Sequence, residues 1–209
     1  MSDYIHKFNS FITNQIKNIK DISIIEFGVK EGRSTEIFLS LCKKNSGKLY
    51  SIDVVDYGSK FDDPNWTFIH SRDDNFKYLD LKLPNNVDVI YLDSLHEAKH
   101  VKKIIYHYYK RLKIGGFFFI DDISWLPYQK NQPRNNFYCE INNYETFKQI
   151  LEIYNTNQSN FDLSFDFTSS GLCKILKKKD TLNLPFKIFL RNVSIKNFFR
   201  KILQFTSLK

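Results

Sequence analysis

Apolar residues follow two patterns along this chain, and the two patterns take turns. Short unbroken apolar runs, typical of strands buried on both faces, alternate with stretches in which apolar residues recur at helical spacing. The runs predict strands over 22–27, 48–53, 66–70, 87–93, 117–121, 163–168 and 172–177. The helical spacing predicts helices over 3–20, 34–44, 97–112 and 144–154. Strands and helices therefore alternate through most of the sequence.

This alternation predicts an α/β fold built from βαβ units. We expect a Rossmann-like, doubly wound, mostly parallel sheet of seven strands with helices on both faces. A short turn joins the last two strands, which predicts an antiparallel hairpin at the C-terminal end of the sheet. We divide the chain into an N-terminal helix (1–20), a central α/β domain (21–179) and a basic, amphipathic helical extension (180–209).

The net charge of +8 is unevenly distributed. Residues 1–173 contain 21 basic and 22 acidic residues, whereas residues 174–209 contain 10 basic residues and one acidic residue. The body of the protein is therefore almost neutral. This argues against a broad nucleic-acid-binding surface, and we do not expect a nucleic acid as the partner of the body. An anionic partner would have to meet the tail.

The sequence shows neither a membrane span nor a secretion signal. Its apolar runs are much shorter than the roughly 20 residues that cross a bilayer, and residues 1–18 lack the apolar core of a signal peptide. Cys42, Cys139 and Cys173 are too widely spaced for a disulfide framework or a zinc pattern. We therefore expect a cytoplasmic protein, and the tail leaves a peripheral membrane contact open.

The first predicted strand ends in a glycine turn. Gly28 follows the strand directly, and Gly32 precedes the next helix, so the backbone can turn tightly and approach a ligand closely. The spacing matches neither the dinucleotide-binding G-x-G-x-x-G motif nor the phosphate-binding P-loop. Asp53 closes the second strand, where an acidic residue can bind both hydroxyls of a ribose. The pattern favours a turn that binds a nucleoside-containing ligand over an ordinary strand-to-helix turn without a ligand.

Carboxylates close two later strands. Asp93 closes one strand, and the pair Asp121 and Asp122 closes the next. The carboxyl ends of neighbouring parallel strands lie about 5 Å apart, so these side chains should converge. Such a cluster is costly unless it binds a cation, and Mg²⁺ prefers oxygen ligands. Alternatively, Asp122 caps a turn and the other carboxylates hold loop amides.

The ordered set of segments EFGVKEGRST, SID, VIYLD and FFFIDD resembles the class I S-adenosylmethionine-dependent methyltransferases. It is similar in particular to the small O-methyltransferases of the catechol, caffeoyl-CoA and macrolide-sugar types, over about residues 20–178. The resemblance implies S-adenosylmethionine as the cofactor. It places Glu26, Gly28, Lys30 and Ser34 around the methionine part of the cofactor, Asp53 at its ribose, and Ser71 and Arg72 near its adenine. It also implies that Gly32 is a cofactor-binding residue.

The resemblance also assigns roles to the later carboxylates. It implies that Asp93, Asp121 and Asp122 bind Mg²⁺ or another divalent cation, which lowers the pKa of an acceptor hydroxyl. His96 stands three residues after Asp93, where catechol-type enzymes carry a lysine as general base. Histidine can take a proton at neutral pH, so we expect His96 and Asp93 to be catalytic. The alternative is that His96 only caps a helix or packs.

Two further segments suggest contacts with other molecules. The polar segment 125–143 follows a strand end and offers Trp125, Tyr128, Arg134 and Tyr138 as acceptor-binding candidates. In the tail, apolar residues share helical faces, first over 186–193 and then from Ser194 onward, with basic residues beside them. Such a tail can pack on the body, form a homodimer contact, lie on a membrane surface or contact RNA.

Together these patterns predict an S-adenosylmethionine-dependent O-methyltransferase. Its acceptor would be a hydroxyl of a small molecule or glycan precursor, with assistance from Mg²⁺. An RNA methyltransferase and a methyltransferase-like protein that binds without catalysis are the alternatives.

Overall fold

A computed structural model describes residues 3–124, 137–188 and 195–207, and within these ranges the strands form one seven-stranded sheet. The strands are β1 (Ser23–Phe27), β2 (Lys48–Asp53), β3 (Trp66–His70), β4 (Val87–Leu92), β5 (Leu112–Asp121), β6 (Phe161–Asp166) and β7 (Leu172–Lys177). Their order across the sheet is β3-β2-β1-β4-β5-β7-β6. β7 is antiparallel to β5 and β6, and the other pairs are parallel. The predicted Rossmann-like fold with a C-terminal antiparallel hairpin is confirmed.

The helices surround this sheet in the predicted alternation. They are α1 (Asp3–Phe8), α2 (Asn14–Ile16), α3 (Arg33–Asn45), α4 (Phe76–Leu79), α5 (Ala98–Tyr108), α6 (Phe137–Asn157) and α7 (Ile195–Ser207). A π-helical turn, Asn9–Thr13, joins α1 to α2. The predicted helix over 3–20 therefore ends at Ile16, and the helix predicted over 144–154 begins seven residues earlier.

The junction between α5 and β5 differs from the prediction. The sequence predicts a helix over 97–112 and a strand over 117–121, but the α-helix ends at Tyr108 and β5 begins at Leu112, with the glycine pair 115–116 inside the strand. A 3₁₀ turn separates the two elements, and the guanidinium of Arg111 in that turn donates to the carbonyls of Leu83 and Pro84. These buried hydrogen bonds fix the end of the helix.

The first part of the tail is also not helical. Residues 181–188 contain neither helix nor strand. The prediction that Phe186 lies on the face of a helix over 186–193 is therefore wrong. The side chain of Asn157 binds both the backbone NH and the carbonyl of Asn183, and Tyr106 donates to the same carbonyl. These partners hold the backbone in an extended path beside α6.

Each face of the sheet carries a hydrophobic core. In β1, Ile24 packs on the side of α1, α2 and α3, while Ile25 packs on the side of α5 and α6. All six residues of β4 are buried, as expected for a central strand covered on both faces. The continuous apolar runs in the sequence thus reflect burial on two sides.

The parallel strands deliver their carboxyl ends to one edge of the sheet. Phe27 at the end of β1 pairs with Ile52 on β2 and with Leu92 on β4, and Leu92 pairs with Ile120 on β5. The chain order reverses between β1 and β4, and such a switch point forms the ligand crevice of open α/β sheets. The residues that follow these strands therefore share one edge.

Candidate active site

The glycine turn after β1 packs directly against the backbone that follows β4. Gly28 has a φ of +99°, and a Cβ atom built on it would lie 2.1 Å from the carbonyl oxygen of Asp93. Gly32 has a φ of +82° and precedes the first residue of α3. Lys30, between the glycines, also has a positive φ of 47°. A side chain at Gly28 would force the two strand ends apart, so this position requires glycine.

Asp53 holds this turn in place from the neighbouring strand. Its Oδ2 accepts hydrogen bonds from the backbone NH of Val29, at 2.8 Å, and of Lys30, at 3.4 Å. Its Oδ1 accepts from the backbone NH of Val55 at 2.9 Å. A carboxylate offers about four acceptor sites, so Asp53 keeps capacity for a ligand hydroxyl.

Glu26 lies at the end of β1, next to the turn, and lines neither of the two cavities described below. Its carboxylate is fully buried and accepts hydrogen bonds from the hydroxyls of Ser34, Thr35 and Ser51 at 2.5, 2.9 and 2.6 Å. Burial raises the pKa of Glu26 to about 7, although the three hydroxyls act in the opposite direction. The residue predicted to line the cofactor site thus ties α3 to β1 and β2.

A first cavity of about 450 Å³ lies beside the turn. Its volume is in the range of small-molecule sites. Several predicted cofactor residues line it, and Ile52, Val54, Val55 and Leu95 add apolar surface. The predicted residues at this cavity are Gly28, Lys30, Asp53, Ser71 and Arg72. The structure therefore brings the predicted ribose and adenine residues to one cavity.

The first cavity also contains a polar cluster that sequence analysis missed. Asp73 Oδ2 lies 2.5 Å from the hydroxyl of Ser94 and 2.8 Å from Nε2 of His100, and Tyr108 donates to the carbonyl of Asp73. His100 is buried. The available signal was its spacing, since His100 lies four residues before Ile104 on the buried stripe of α5.

A second cavity of about 410 Å³ shares Gly28, Lys30, Asp93 and Ser94 with the first. Glu31, Arg33 and Ser34 line it on the side of α3, and His96, Asp121, Asp122 and Ser170 line it on the side of β5. The side chain of Lys30 is 82% exposed, and its Nζ lies 3.9 Å from Oε1 of Glu31. Asp93 stands at the boundary between the two cavities.

Three side chains converge at this boundary. Nε2 of His96 lies 3.4 Å from Oδ1 of Asp93 and 3.2 Å from Oδ2 of Asp122, and the ligand atoms of the three residues lie within 4.8 Å of one another. Burial, followed by the charges of Asp121 and Asp122, raises the pKa of Asp93 well above its usual value. A cation would relieve this repulsion, and carboxylate and imidazole groups are suitable ligands for it.

The backbone at Asp122 is strained. Its φ is +57°, in the left-handed region that residues other than glycine rarely adopt. Such conformations cost about 1–3 kcal/mol and are concentrated at functional sites. The strain accompanies the turn that places Asp122 beside His96 and Asp93.

Asp121 lines the same cavity as these three residues but has hydrogen-bond partners of its own. Its Oδ1 accepts from Nζ of Lys7 at 2.6 Å, from the hydroxyl of Ser170 at 3.1 Å and from the backbone NH of Asp122 at 2.8 Å. Its Oδ2 accepts from the hydroxyl of Tyr91 at 2.8 Å. The structure therefore gives Asp121 a lysine as its cationic partner, and holding a loop amide is one of its roles.

Sequence analysis missed Lys7, although the sequence contains a signal. Lys7 lies on the apolar stripe of the N-terminal helix, next to Phe8 and four residues before Phe11. A lysine at such a position is either exposed at the margin of the stripe or paired inside. Lys7 is fully buried. The acceptor-binding candidates Trp125, Tyr128 and Arg134, and the side chain of Tyr138, lie outside the residues described.

Comparisons with known proteins identify the domain and the fold to which this chain is similar. Residues 25–123 match the family model of a methyltransferase domain. The match begins within β1 and contains β2, β3, β4 and β5, and with them Gly28, Asp53, Asp93 and Asp121. No curated protein sequence matches the chain.

Solved structures share the fold. The MycE methyltransferase of the mycinamycin biosynthetic pathway, in complex with Mg and SAH, is similar over 85% of this chain and 51% of its own, at 17% identity and a TM-score of 0.64. A protein described as a caffeoyl-CoA O-methyltransferase from Staphylococcus aureus is similar over 84% of this chain and 81% of its own, at 17% identity and a TM-score of 0.58.

An rRNA methylase from Streptococcus thermophilus is similar over 84% of this chain and 96% of its own, at 18% identity and a TM-score of 0.55. At these identities the similarity establishes the fold alone. This chain spans about half the length of the MycE chain that it matches.

Proposed function

Because this chain carries a class I, S-adenosylmethionine-dependent methyltransferase domain, we propose that it methylates a hydroxyl oxygen of a small molecule or glycan precursor with the assistance of Mg²⁺. The observation that carries the proposal is the convergence of Asp93, His96 and Asp122 at the boundary of the two cavities. One cavity has the residues for the cofactor, and the other has the residues that would activate an acceptor.

The first cavity suits the nucleoside end of the cofactor. Asp53 retains acceptor capacity for ribose hydroxyls after it has bound three backbone amides. Ile52, Val55 and Leu95 provide apolar surface for an adenine ring, and Ser71 is at the same cavity. The methionine end would then pass Gly28 toward the second cavity. Bound there, the cofactor supplies a methyl group on a sulfonium.

The second cavity suits a divalent cation. Asp93 and Asp122 supply carboxylate oxygens, and their mutual repulsion would be offset by the ion. When bound, Mg²⁺ would lower the pKa of an acceptor hydroxyl. The prediction that Asp121 is a further ligand stays a prediction, and its Oδ1 is engaged by Lys7.

His96 is proposed as the general base. Its imidazole is 28% exposed at the second cavity, so an acceptor can reach it, while Asp93 and Asp122 hold its Nε2 edge. A base must lie within hydrogen-bond reach of the proton that it removes. An acceptor hydroxyl placed between His96 and the methyl group would satisfy this requirement, and holding the two reactants together lowers the barrier further.

The cofactor assignment is tested by isothermal titration calorimetry with S-adenosylhomocysteine. We expect binding by the wild type and a loss of at least about tenfold in affinity for Asp53→Asn, which weakens one charged acceptor. Asp62→Asn is the matched control, because Asp62 is exposed and lines neither of the two cavities. Absence of binding by the wild type would refute the assignment.

The cation site is tested with Mn²⁺, whose electron paramagnetic resonance signal reports binding without any turnover. We expect Asp93→Asn and Asp122→Asn to weaken Mn²⁺ binding by about ten- to a hundredfold, since each removes a charged ligand. Asp62→Asn should bind like the wild type. Equal binding by all variants would place the ion elsewhere and refute this part of the proposal.

The acceptor class is tested by transfer of a tritiated methyl group from S-adenosylmethionine. Catechol and sugar hydroxyl acceptors are compared with RNA, each with Mg²⁺ and with EDTA. We expect transfer to a hydroxyl acceptor that EDTA abolishes. Transfer to RNA alone would favour the RNA methyltransferase, and cofactor binding without transfer to any acceptor would favour a non-catalytic binding protein.

A further inference from the structure

The C-terminal helix α7 presents an exposed apolar stripe. Ile195, Phe198 and Phe199 are spaced as neighbours on one side of a helix, and their side chains are 78%, 62% and 59% exposed. Ile202 continues the same spacing. Large apolar side chains that are exposed together mark an interaction surface, whereas single ones do not.

Basic residues lie outside this stripe. A helix turns by about 100° per residue, which places Lys196 and Arg200 beyond its margin, and both are exposed. Residues 181–209 contain six basic residues and no acidic residue, whereas residues 1–180 contain 25 basic and 23 acidic residues. The charge of the segment is therefore of one sign.

This charge indicates what kind of partner α7 fits. A second copy of the helix would bring two segments of charge +6 together, which like-charge repulsion opposes. The nearly neutral remainder of the chain offers little attraction to it. An anionic surface with an apolar layer beneath it would satisfy both the basic residues and the aromatic stripe.

The length of α7 agrees with a helix that lies in the plane of a membrane. Its 13 residues extend over about 20 Å, whereas a helix needs about 20 apolar residues to span a bilayer. None of the helices within the described ranges is long and apolar enough to cross a membrane. A short helix with one apolar and one basic side is typical of interfacial binding.

We propose that α7 binds the surface of an anionic lipid bilayer, with Phe198 and Phe199 inserted at the boundary between headgroups and acyl chains and Lys196 and Arg200 at the lipid phosphates. The exposed Leu184 and Phe186 precede the helix and would add apolar contact. RNA is a poorer fit, because its phosphates would leave the aromatic stripe in water.

Flotation of the full chain with lipid vesicles tests this proposal. We expect binding to vesicles of mixed phosphatidylcholine and phosphatidylglycerol, little binding to phosphatidylcholine alone, and release by high salt. The double variant Phe198→Ser with Phe199→Ser should lower the affinity by at least about tenfold. The double variant Lys196→Gln with Arg200→Gln should remove the preference for anionic lipid.

Leu81→Ser is the matched control, because Leu81 is 83% exposed and lies outside the tail. It should bind vesicles like the wild type. Affinity for S-adenosylhomocysteine, measured on the same variants, should be unchanged if only the tail is affected. Vesicle binding is measured without turnover. A protein that does not bind vesicles would therefore refute the membrane proposal and leave the methyltransferase proposal untouched.

Several results would overturn the proposal. One is equal binding to neutral and anionic vesicles, and another is anionic binding that survives the double replacement of Phe198 and Phe199. A dimer in analytical ultracentrifugation that these replacements dissociate, without vesicle binding, would identify α7 as a contact between copies. Binding of an RNA oligonucleotide through Lys196 and Arg200, without vesicle binding, would identify a nucleic-acid contact.

Discussion

Nζ of Lys7 lies 2.6 Å from Oδ1 of Asp121, and this ion pair joins the N-terminal helix to the carboxyl end of β5. The side chains are 0% and 4% exposed. Removing an ion from water costs several kcal/mol, so a buried pair persists only where further hydrogen bonds satisfy its charges. Ser170, Tyr91 and the backbone of Asp122 provide them. The position of Asp121 therefore depends on the N-terminal helix.

Replacing Lys7 by Met should destabilise the protein strongly. The variant leaves the carboxylate of Asp121 buried without its cationic partner, which costs about 3–5 kcal/mol in comparable pairs. Urea denaturation of wild type and variant would measure the difference in the free energy of unfolding. Asp121→Asn in the same chain should recover part of the loss, because the unpaired charge is then gone.

Lys178→Met provides the comparison with an exposed pair. Nζ of Lys178 lies 2.5 Å from Oδ1 of Asp162, and the two side chains are 46% and 52% exposed. Water screens such pairs, so the expected loss is at most about 1 kcal/mol. A loss in Lys7→Met no larger than in Lys178→Met would contradict the role given to the buried pair.

Gly28→Ala should abolish cofactor binding as well as reduce stability. Its Cβ would meet the carbonyl of Asp93 at 2.1 Å, in addition to the cost of a positive φ. Gly115→Ala isolates the second effect, because Gly115 has a φ of +83° and nothing within 4 Å of the added Cβ. We expect Gly115→Ala to lose about 1–2 kcal/mol and to keep its affinity for S-adenosylhomocysteine. Calorimetry that finds equal affinities for the two variants would contradict this interpretation.

Glu26 should make stability depend on pH. Its folded pKa of about 7 lies above the ordinary value of 4.5, so between these values the folded state holds more protons than the unfolded state. The stability contributed by protonated Glu26 is fully present below pH 4.5 and is lost as the pH rises through 7. The loss amounts to at most about 3 kcal/mol.

Glu26→Gln should remove this dependence, since the amide does not titrate. Thermal denaturation from pH 5 to 8 would compare the two proteins, with the exposed Glu36→Gln as the matched control. The melting temperature of the wild type and of Glu36→Gln should fall more steeply with pH than that of Glu26→Gln. Parallel curves for all three proteins would rule out a raised pKa at Glu26.

His96→Gln should affect turnover and spare cofactor binding. Loss of a general base lowers kcat by about 10²- to 10⁴-fold, whereas His96 does not line the first cavity. The measurement uses the hydroxyl acceptor identified by methyl transfer, together with titration of S-adenosylhomocysteine. His6→Gln is the control, because His6 is exposed on α1. A kcat for His96→Gln close to that of the control would exclude His96 as the base.

The sequence by itself determined the sheet and the edge at which the site lies. The strands β2, β3 and β7 begin and end where the sequence predicts. The continuous apolar run of β4 reflects the burial of that strand on both faces of the sheet. Since Gly28 and Asp93 directly follow parallel strands and Asp53 is the last residue of one, their common edge also follows from the sequence. Local patterns are sufficient for these features because each depends on residues close together in the chain.

Only the tertiary structure decided how the side chains at that edge are partnered. The sequence treats Asp93, Asp121 and Asp122 as equivalent carboxylates, but Lys7, more than 80 residues upstream of the first of them, pairs with Asp121 and leaves the other two beside His96. Partners this distant in sequence meet only because the helix and the strand pack on one another. Burial then shifts the pKa of each titratable group and so determines its charge. The extent of burial depends on every element that surrounds the group, and a local sequence pattern does not contain this information.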